Sequence, residues 1–276
     1  MRAVEKAIWF IENNFRDDIA LTAVAEAVSL SKFHLVRAFG VCTGHSVDGY
    51  IRARRLSEAA KQLARGSAGI LETALDAGYG SHEAFSRAFR QRFGVTPEQI
   101  RKAGDLSQLD LQEPLKMNED LLADLAEPTI VRGDALLLVG LLRRYSERNV
   151  AEIPSQWQDF TPHLDAIPRR VGNTTFGVCC NSDSNGSTDY LAGVAVTSAD
   201  DLPAPLTTLR LPARTYAVFE HHGHVSGIRR TWASIFALWQ PPSGRQLVDA
   251  PQFERYDDRF DPHSGAGMVE IWIPMT

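Results

Sequence analysis

Four side chains near the carboxy terminus have the types and spacing to hold an organic cation: Glu254 with Tyr256, and Glu270 with Trp272. Each carboxylate stands two residues from an aromatic ring, and on a β-strand that spacing puts both members on one face. Val269, Ile271 and Ile273 alternate with the second pair, so they would take the side that helices cover. Both carboxylates are therefore expected together on the helix-free side. Ring faces attract a cation there, and a desolvated carboxylate needs a counter-charge. Tyr190 and Trp239 are weaker additions to the same site. An ordinary solvent-facing strand would carry the same residues, and that reading stays open.

A second set suits nucleic acid. Lys32, Phe33, Val36 and Arg37 fall on one side of a short helical stretch, and His82, Glu83, Ser86 and Arg87 occupy the matching side of another. Arginine can grip guanine O6 and N7 with two hydrogen bonds, and an apolar Phe33 or Val36 can touch thymine methyls. Glu83 is anionic, so it must meet a cytosine amino group or a neighbouring arginine. Arg37 and Arg87 could instead bond to nearby carboxylates. Arg52, Arg54 and Arg55 are expected on phosphates or in solvent.

Other clusters are less suited to chemistry. His221, His222 and His224 lie too close along one strand end to converge on a metal, and no Cys or carboxylate stands at ligand spacing beside them. Cys179 and Cys180 point to opposite strand faces. With Cys42 they fit a reducing, cytoplasmic setting. Ser226 and Ser243 lie in no nucleophile elbow, and no loop is built to cradle phosphate. No catalytic residue, metal or cofactor is expected.

The elements that position the basic set are duplicated. Leu71–Pro97 aligns without a gap on Leu21–Val47: Ala27 falls on Ala77, Ser31 on Ser81, Arg37-Ala38-Phe39 on Arg87-Ala88-Phe89, and Gly44 on Gly94. An ungapped repeat of this kind is one supersecondary unit used twice. Each unit reads as a short helix, a tight turn and a second helix capped by serine, which is a helix-turn-helix. The helix from about Val47 to Leu63 joins the units. Val47, Tyr50, Ile51 and Arg54 face one way; Leu56, Ala59, Ala60 and Leu63 face another. A helix with such a divided stripe can bury one end in each unit and act as a rigid spacer between successive major grooves.

Here a resemblance becomes specific. Ile70-x3-Ala74-x3-Gly78-Tyr79-x5-Phe85-Ser86-Arg87-x-Phe89-x4-Gly94-x2-Pro97 resembles the signature of the AraC-type transcription regulators, as do Ser31–Phe39 and Tyr50–Leu56. The likeness covers about Val4–Arg101 and implies base contacts from the second helix of each unit.

The second half reads as a strand (130–145), a helix (153–167), strands at 175–180 and 190–197, then a strand (206–220), a helix (225–239) and strands at 252–257 and 268–273. Strand-helix-strand-strand, twice, implies an α+β layer: a twisted antiparallel sheet with both helices on one face. Leu191–Val194, Leu211-Pro212-Ala213-Arg214-x-Tyr216, Phe253-Glu254-x-Tyr256 and Glu270–Pro274 resemble the GyrI-like effector-binding domain. The whole chain thus looks like the Rob-type branch of the AraC family.

Charge divides along the same line. Residues 1–105 hold 15 Lys+Arg against 12 Asp+Glu, and residues 106–276 hold 14 against 22, so the repeat half is basic within a chain of net charge −5. Phosphate contact calls for that asymmetry. The expected division is a double helix-turn-helix domain at 1–104, an acidic, proline-marked linker at 105–128 with a short helix at 118–126, and an effector-binding domain at 129–276. The amino end reads as an amphipathic helix rather than a secretory signal, and the longest apolar run, Ala135–Leu142, is too short to span a bilayer.

These readings converge on a cytoplasmic, sequence-specific DNA-binding transcription regulator, bound to double-stranded DNA as a monomer and sensing a small cationic amphipathic effector. RNA polymerase is admitted as a further partner. Two alternatives stand beside this: a GyrI-like hydrolase, which the resemblance implies, using Glu254 and Glu270 as acid and base, and a regulator whose second domain binds another protein and no small molecule.

Overall fold

The computed structural model describes residues 3–66, 69–116, 122, 124–146, 149–200 and 202–276. Seven helices come first: α1 (Ala3–Asn14), α2 (Leu21–Ala27), α3 (Lys32–Thr43), α4 (Val47–Arg65), α5 (Ile70–Asp76), α6 (His82–Phe93) and α7 (Pro97–Ala103). The repeat is visible in the caps. Ser31 and Ser81 each accept a hydrogen bond from a backbone N–H in the first turn of α3 and α6, which satisfies a donor the helix leaves open. Gly44 and Gly94 close the same helices in the left-handed conformation, as glycine best can. The inner turns differ: Gly78 takes the left-handed position in the second unit, while Ser29 does so in the first.

The spacer divides as its stripe predicts. Val47, Tyr50 and Ile51 of α4 join the core of the first unit, and Leu56, Ala59, Ala60 and Leu63 join that of the second. Arg54 is not a phosphate-facing residue. Its side chain is 6% exposed, its Nε and Nη2 donate to the two Glu12 carboxylate oxygens at 2.9 Å, and its Nη1 donates to the Gln112 carbonyl at 2.8 Å. Arg55 is also held internally, donating to the carbonyls of Phe15 and Asp17. Arg54 is thus held between α1 and the chain beyond α7, and Arg55 against the turn that follows α1.

That following segment is no loose tether. Leu106, Leu109 and Leu111 pack on the second unit's core, while Leu115 and Leu125 pack against the apolar cluster that the first unit shares with the second half. Gln112 N–H donates to Ser57 Oγ, and Leu115 N–H to Tyr50 Oη. The helix expected at 118–126 falls largely outside the described residues; Leu122 and Asp124–Ala126 are not helical.

The second half is a single antiparallel sheet with helices α8 (Ile153–Phe160) and α9 (Ile228–Leu238). Its strands are β1 (Thr129–Gly133), β2 (Leu136–Tyr145), β3 (Arg170–Cys180), β4 (Thr188–Val196), β5 (Thr207–Leu211), β6 (Arg214–His224), β7 (Gln252–Tyr256), β8 (Phe260–Asp261) and β9 (Ala266–Met275). The order is β1-β6-β9-β7-β3-β4-β2-β5, with β8 on β9. Each long leading strand expected from the pattern is in fact two. The chain breaks at Asp134-Ala135 and at Pro212-Ala213, and each short strand crosses to the other half, β1 to β6 and β5 to β2. Proline has no N–H to give a ladder and favours such a break. The expected helix at 153–167 likewise ends at Phe160 and continues as a 3-10 turn.

Both helices cover one face. Phe160 of α8 packs with Leu141, Cys179, Tyr190 and Ala192. Trp232, Ile235 and Phe236 of α9 pack with Ala217, Phe219, Ile271 and Ile273. That second cluster also holds Ile11, Leu35, Phe39 and Tyr50. One apolar core therefore runs from the first helix-turn-helix unit into the second half.

Two outcomes follow. Arg54→Ala leaves Glu12 without its guanidinium partner and should cost about 3–5 kcal/mol. A denaturant titration should show that loss, and limited proteolysis should show new cuts at 106–115; unchanged stability would remove the pair from its structural role. His34 is fully buried, its Nε2 has no hydrogen-bond partner, and burial together with Arg37 lowers its pKa to about 4. This folded value lies below the unfolded one, so folding resists protonation. Stability should be full above about pH 6.5 and fall by up to about 1.4 kcal/mol per pH unit toward pH 4. His34→Leu should flatten that slope, as chemical denaturation at pH 7 and pH 5 would reveal.

Candidate effector site and nucleic-acid interface

Register decides where the carboxylates go. Glu254 stands opposite Gly177 on β3 and opposite Ile271 on β9. Cross-strand partners point to the same side of a sheet, so Glu254 shares the face of Ile271, which α9 covers. Glu270 stands opposite Arg255 and points to the other face. The expectation that both carboxylates lie together on the helix-free side is thus corrected. Spacing within a strand gives the faces of that strand, but only the pairing relates one strand to the next.

Glu254 is 7% exposed and accepts three hydrogen bonds, all from neutral groups: Trp232 Nε1 at 2.8 Å, Tyr256 Oη at 2.8 Å and Tyr190 Oη at 3.0 Å. Trp157 of α8 donates to Tyr190 Oη at 3.1 Å and meets the Tyr256 ring edge-on at 5.3 Å. Burial, then the Glu254 charge, pushes both tyrosine hydroxyls well above their usual range. They remain donors. Gly177 makes the arrangement fit: a Cβ there would stand 2.1 Å from Tyr190 Oη and 2.7 Å from Glu254 Oε2. Two amides nearby are incompletely used. Gln252 on β7 and Gln156 on α8 are both fully buried, and Gln252 Nε2 and Gln156 Oε1 have no partner.

Of the residues singled out in the sequence, the fold brings Glu254, Tyr256 and Tyr190 together and leaves the others elsewhere. Trp272 stacks on Phe253 at 5.2 Å on the opposite face. Glu270 accepts from Arg255, Arg259 and Trp272. Burial alone would raise its pKa; those bonds outweigh it and hold the carboxyl below its usual value. Glu270 is thus already neutralised. Trp239 packs edge-on against Phe219 at 5.1 Å, beyond the end of α9. Trp157, Trp232, Gln156, Gln252 and Gly177 escaped the sequence reading. Both tryptophans lie on the inner side of amphipathic helices, where a core role looks the same.

The histidine run disperses. His221 bonds to Thr231 Oγ1, His222 to Glu220 and His224 to Ser226 Oγ. No grouping of three or more metal-ligating side chains occurs among the described residues.

The two helix-turn-helix units present unequal surfaces. On α6, Glu83 and Arg87 are exposed, Ser86 is half-buried with its hydroxyl unpaired, and His82 bonds to Glu98 at 3.1 Å. On α3, Lys32 is exposed, but Phe33 and Val36 are 7% and 4% exposed. They lie at the seam with the second half, beside a cleft of ≈ 490 Å³ lined also by Cys180, Asp183 and Pro251. Arg37 Nε donates to Gln252 Oε1 at 3.4 Å, and its guanidinium lies 5.0 Å from the centre of the Trp232 ring. The expectation that Phe33, Val36 and Arg37 face a groove is not met in this arrangement, because α3 is packed on α9.

Residues 126–276 match the GyrI-like small-molecule-binding domain, and residues 24–103 match a helix-turn-helix domain. The chain is 26% identical over 280 residues to the right origin-binding protein of Escherichia coli (strain K12), covering 97% of this chain and 96% of that protein. It is 26% identical over 272 residues to the transcriptional regulator Rob of Salmonella typhimurium, covering 96% and 93%. Its helix-turn-helix half is 37% identical over 92 residues to the multiple antibiotic resistance protein MarA of E. coli, covering 33% of this chain and 72% of that protein. No helix among the described residues is long and apolar enough to cross a membrane. The chain belongs to the GyrI-like small-molecule-binding family and carries that domain behind an AraC-type helix-turn-helix half, as a DNA-binding transcription regulator.

Proposed function

We propose that the effector is a small aromatic cation seated at Glu254, and that its binding sets how the chain engages DNA. The observation that carries this is a buried carboxylate whose three hydrogen bonds all come from neutral donors. A carboxylate taken out of water favours a cationic partner. Trp157, Trp232, Tyr190 and Tyr256 supply ring faces and edges that suit an aromatic cation over a hydrated metal ion. The proposed boundary between the two functions is the acidic segment 105–128, within which Gln112 and Leu115 bond to Ser57 and Tyr50 of α4. On DNA, the two units joined by α4 would let one monomer cover successive major grooves, with RNA polymerase as a partner of the bound regulator in the cytoplasm. Catalysis has less support: Glu270 is on the far face and tied to two arginines, so it is not placed to share acid and base roles with Glu254.

Two measurements test this. Tetraphenylphosphonium, followed by tryptophan fluorescence, should bind, and triphenylphosphine oxide, neutral and of similar ring type, should bind far more weakly. Glu254→Gln should cost the cation about 2 kcal/mol, as for a hydrogen bond to a charged group. Equal binding of the neutral compound would sink the electrostatic account. Consumption of the compound, abolished by the same substitution, would install the hydrolase reading in its place. For DNA, Arg87→Ala should weaken specific binding by about 1–3 kcal/mol and relax base preference at one position. A loss that was uniform over all sequences would move Arg87 from the bases to the phosphates.

A further inference from the structure

We infer that Arg37 is the effector site's own internal cation, so that α3 cannot enter a DNA groove while the site is filled from within. This rests on the proposed reading of Glu254 as a cation site. One indole joins the two ideas: Trp232 carries the Arg37 guanidinium over its ring at 5.0 Å and donates its N–H to Glu254 at 2.8 Å. A second lining residue, the fully buried Gln252, accepts from Arg37 Nε through Oε1 at 3.4 Å. A planar, delocalised guanidinium is the protein side chain closest in character to an aromatic cation: it stacks on rings and is weakly hydrated for a cation.

The rest of α3 follows Arg37 into the seam. Phe33 and Val36 are buried, and Cys42 Sγ lies 3.6 Å from the Ala233 carbonyl of α9. These are side chains of the helix that the repeat equates with α6, whose Glu83 and Arg87 stay exposed. In the closed arrangement the chain offers DNA one recognition helix of its two. Opening frees α3 for the groove and vacates the Trp232 face for a cation. An incoming cation and the second major groove therefore select the same open state, and each must raise the affinity for the other by the same factor.

The test uses the full chain, tetraphenylphosphonium, and DNA duplexes selected from random sequence with and without that cation. Arg37→Ala empties the site, so cation affinity should rise on the order of tenfold, within the about 5- to 150-fold usual for such coupling. In the unsubstituted chain the cation should raise DNA affinity by the reciprocal factor and extend the hydroxyl-radical footprint from one major groove to two. Arg37 itself is expected on DNA, so the DNA readout needs a change on the opposite side of the seam. Ala233→Arg alters α9 beside Cys42 of α3, on a helix outside both helix-turn-helix units, and replaces none of the three donors to Glu254. It should raise DNA affinity without the cation and leave little for the cation to add.

Equal cation affinity of the unsubstituted chain and Arg37→Ala would overturn the internal-cation role while the effector reading stood. So would DNA affinity unmoved by both the cation and Ala233→Arg. If neither the unsubstituted chain nor Arg37→Ala bound the cation, the effector reading would fall and the internal-cation role with it. Ala233→Arg would still report whether α3 is withheld from DNA.

Discussion

A buried carboxylate constrains the whole second half. Glu254 stays under the helices because three donors, from β4, β7 and α9, converge on it. Each of those contacts needs its element in register. Tyr190 reaches Glu254 only because Gly177, between them on β3, has no side chain. Trp232 reaches it only if α9 lies across β6 and β9 on the same face as α8. The strand exchange that sends β1 to β6 and β5 to β2 ties both halves of the sheet together, so the central strands β3 and β7 meet in one fixed pairing. An unsatisfied charge at that depth would be costly. Polar satisfaction and strand register therefore support each other.

The first half is organised around a different charge. Arg54 sits where α1, α4 and the chain after α7 meet, and its guanidinium is shared between Glu12 and the Gln112 carbonyl. Tyr50 links the same groups, donating to Glu12 and accepting from the Leu115 N–H. These bonds lock the spacer helix to the segment leading into the sheet. The apolar core then continues through Phe39 and Leu35 to α9 and β9. The first helix-turn-helix unit and the sheet half therefore share one close-packed core. The second unit, whose core is closed upon itself and upon Leu106–Leu111, stands outside that shared region.

Much of this was legible in residue order. The repeat, the serine caps, the glycine stops and the divided stripe of α4 are local properties, set by helix periodicity and by groups within a few residues of each other. So were the strand-helix-strand-strand plan and the placing of Glu254 and Tyr256 on one face of one strand. The breaks at Asp134-Ala135 and Pro212-Ala213 were less clear, since both flanks keep an apolar pattern and only the exchange of partners separates them.

What residue order determined, then, is everything that depends on neighbours along the chain: two helix-turn-helix units on a spacer, an antiparallel α+β half, and which side chains share a strand face. Tertiary structure alone decided what depends on partners far apart in sequence. The β7–β9 register put Glu254 and Glu270 on opposite faces, because a shift of one residue inverts a strand. The docking of α3 on α9 set the Arg37 guanidinium against Gln252 and the Trp232 ring. An arginine at that helical position suits guanine, a carboxylate or an indole equally well, and only the surface brought against it selects among them.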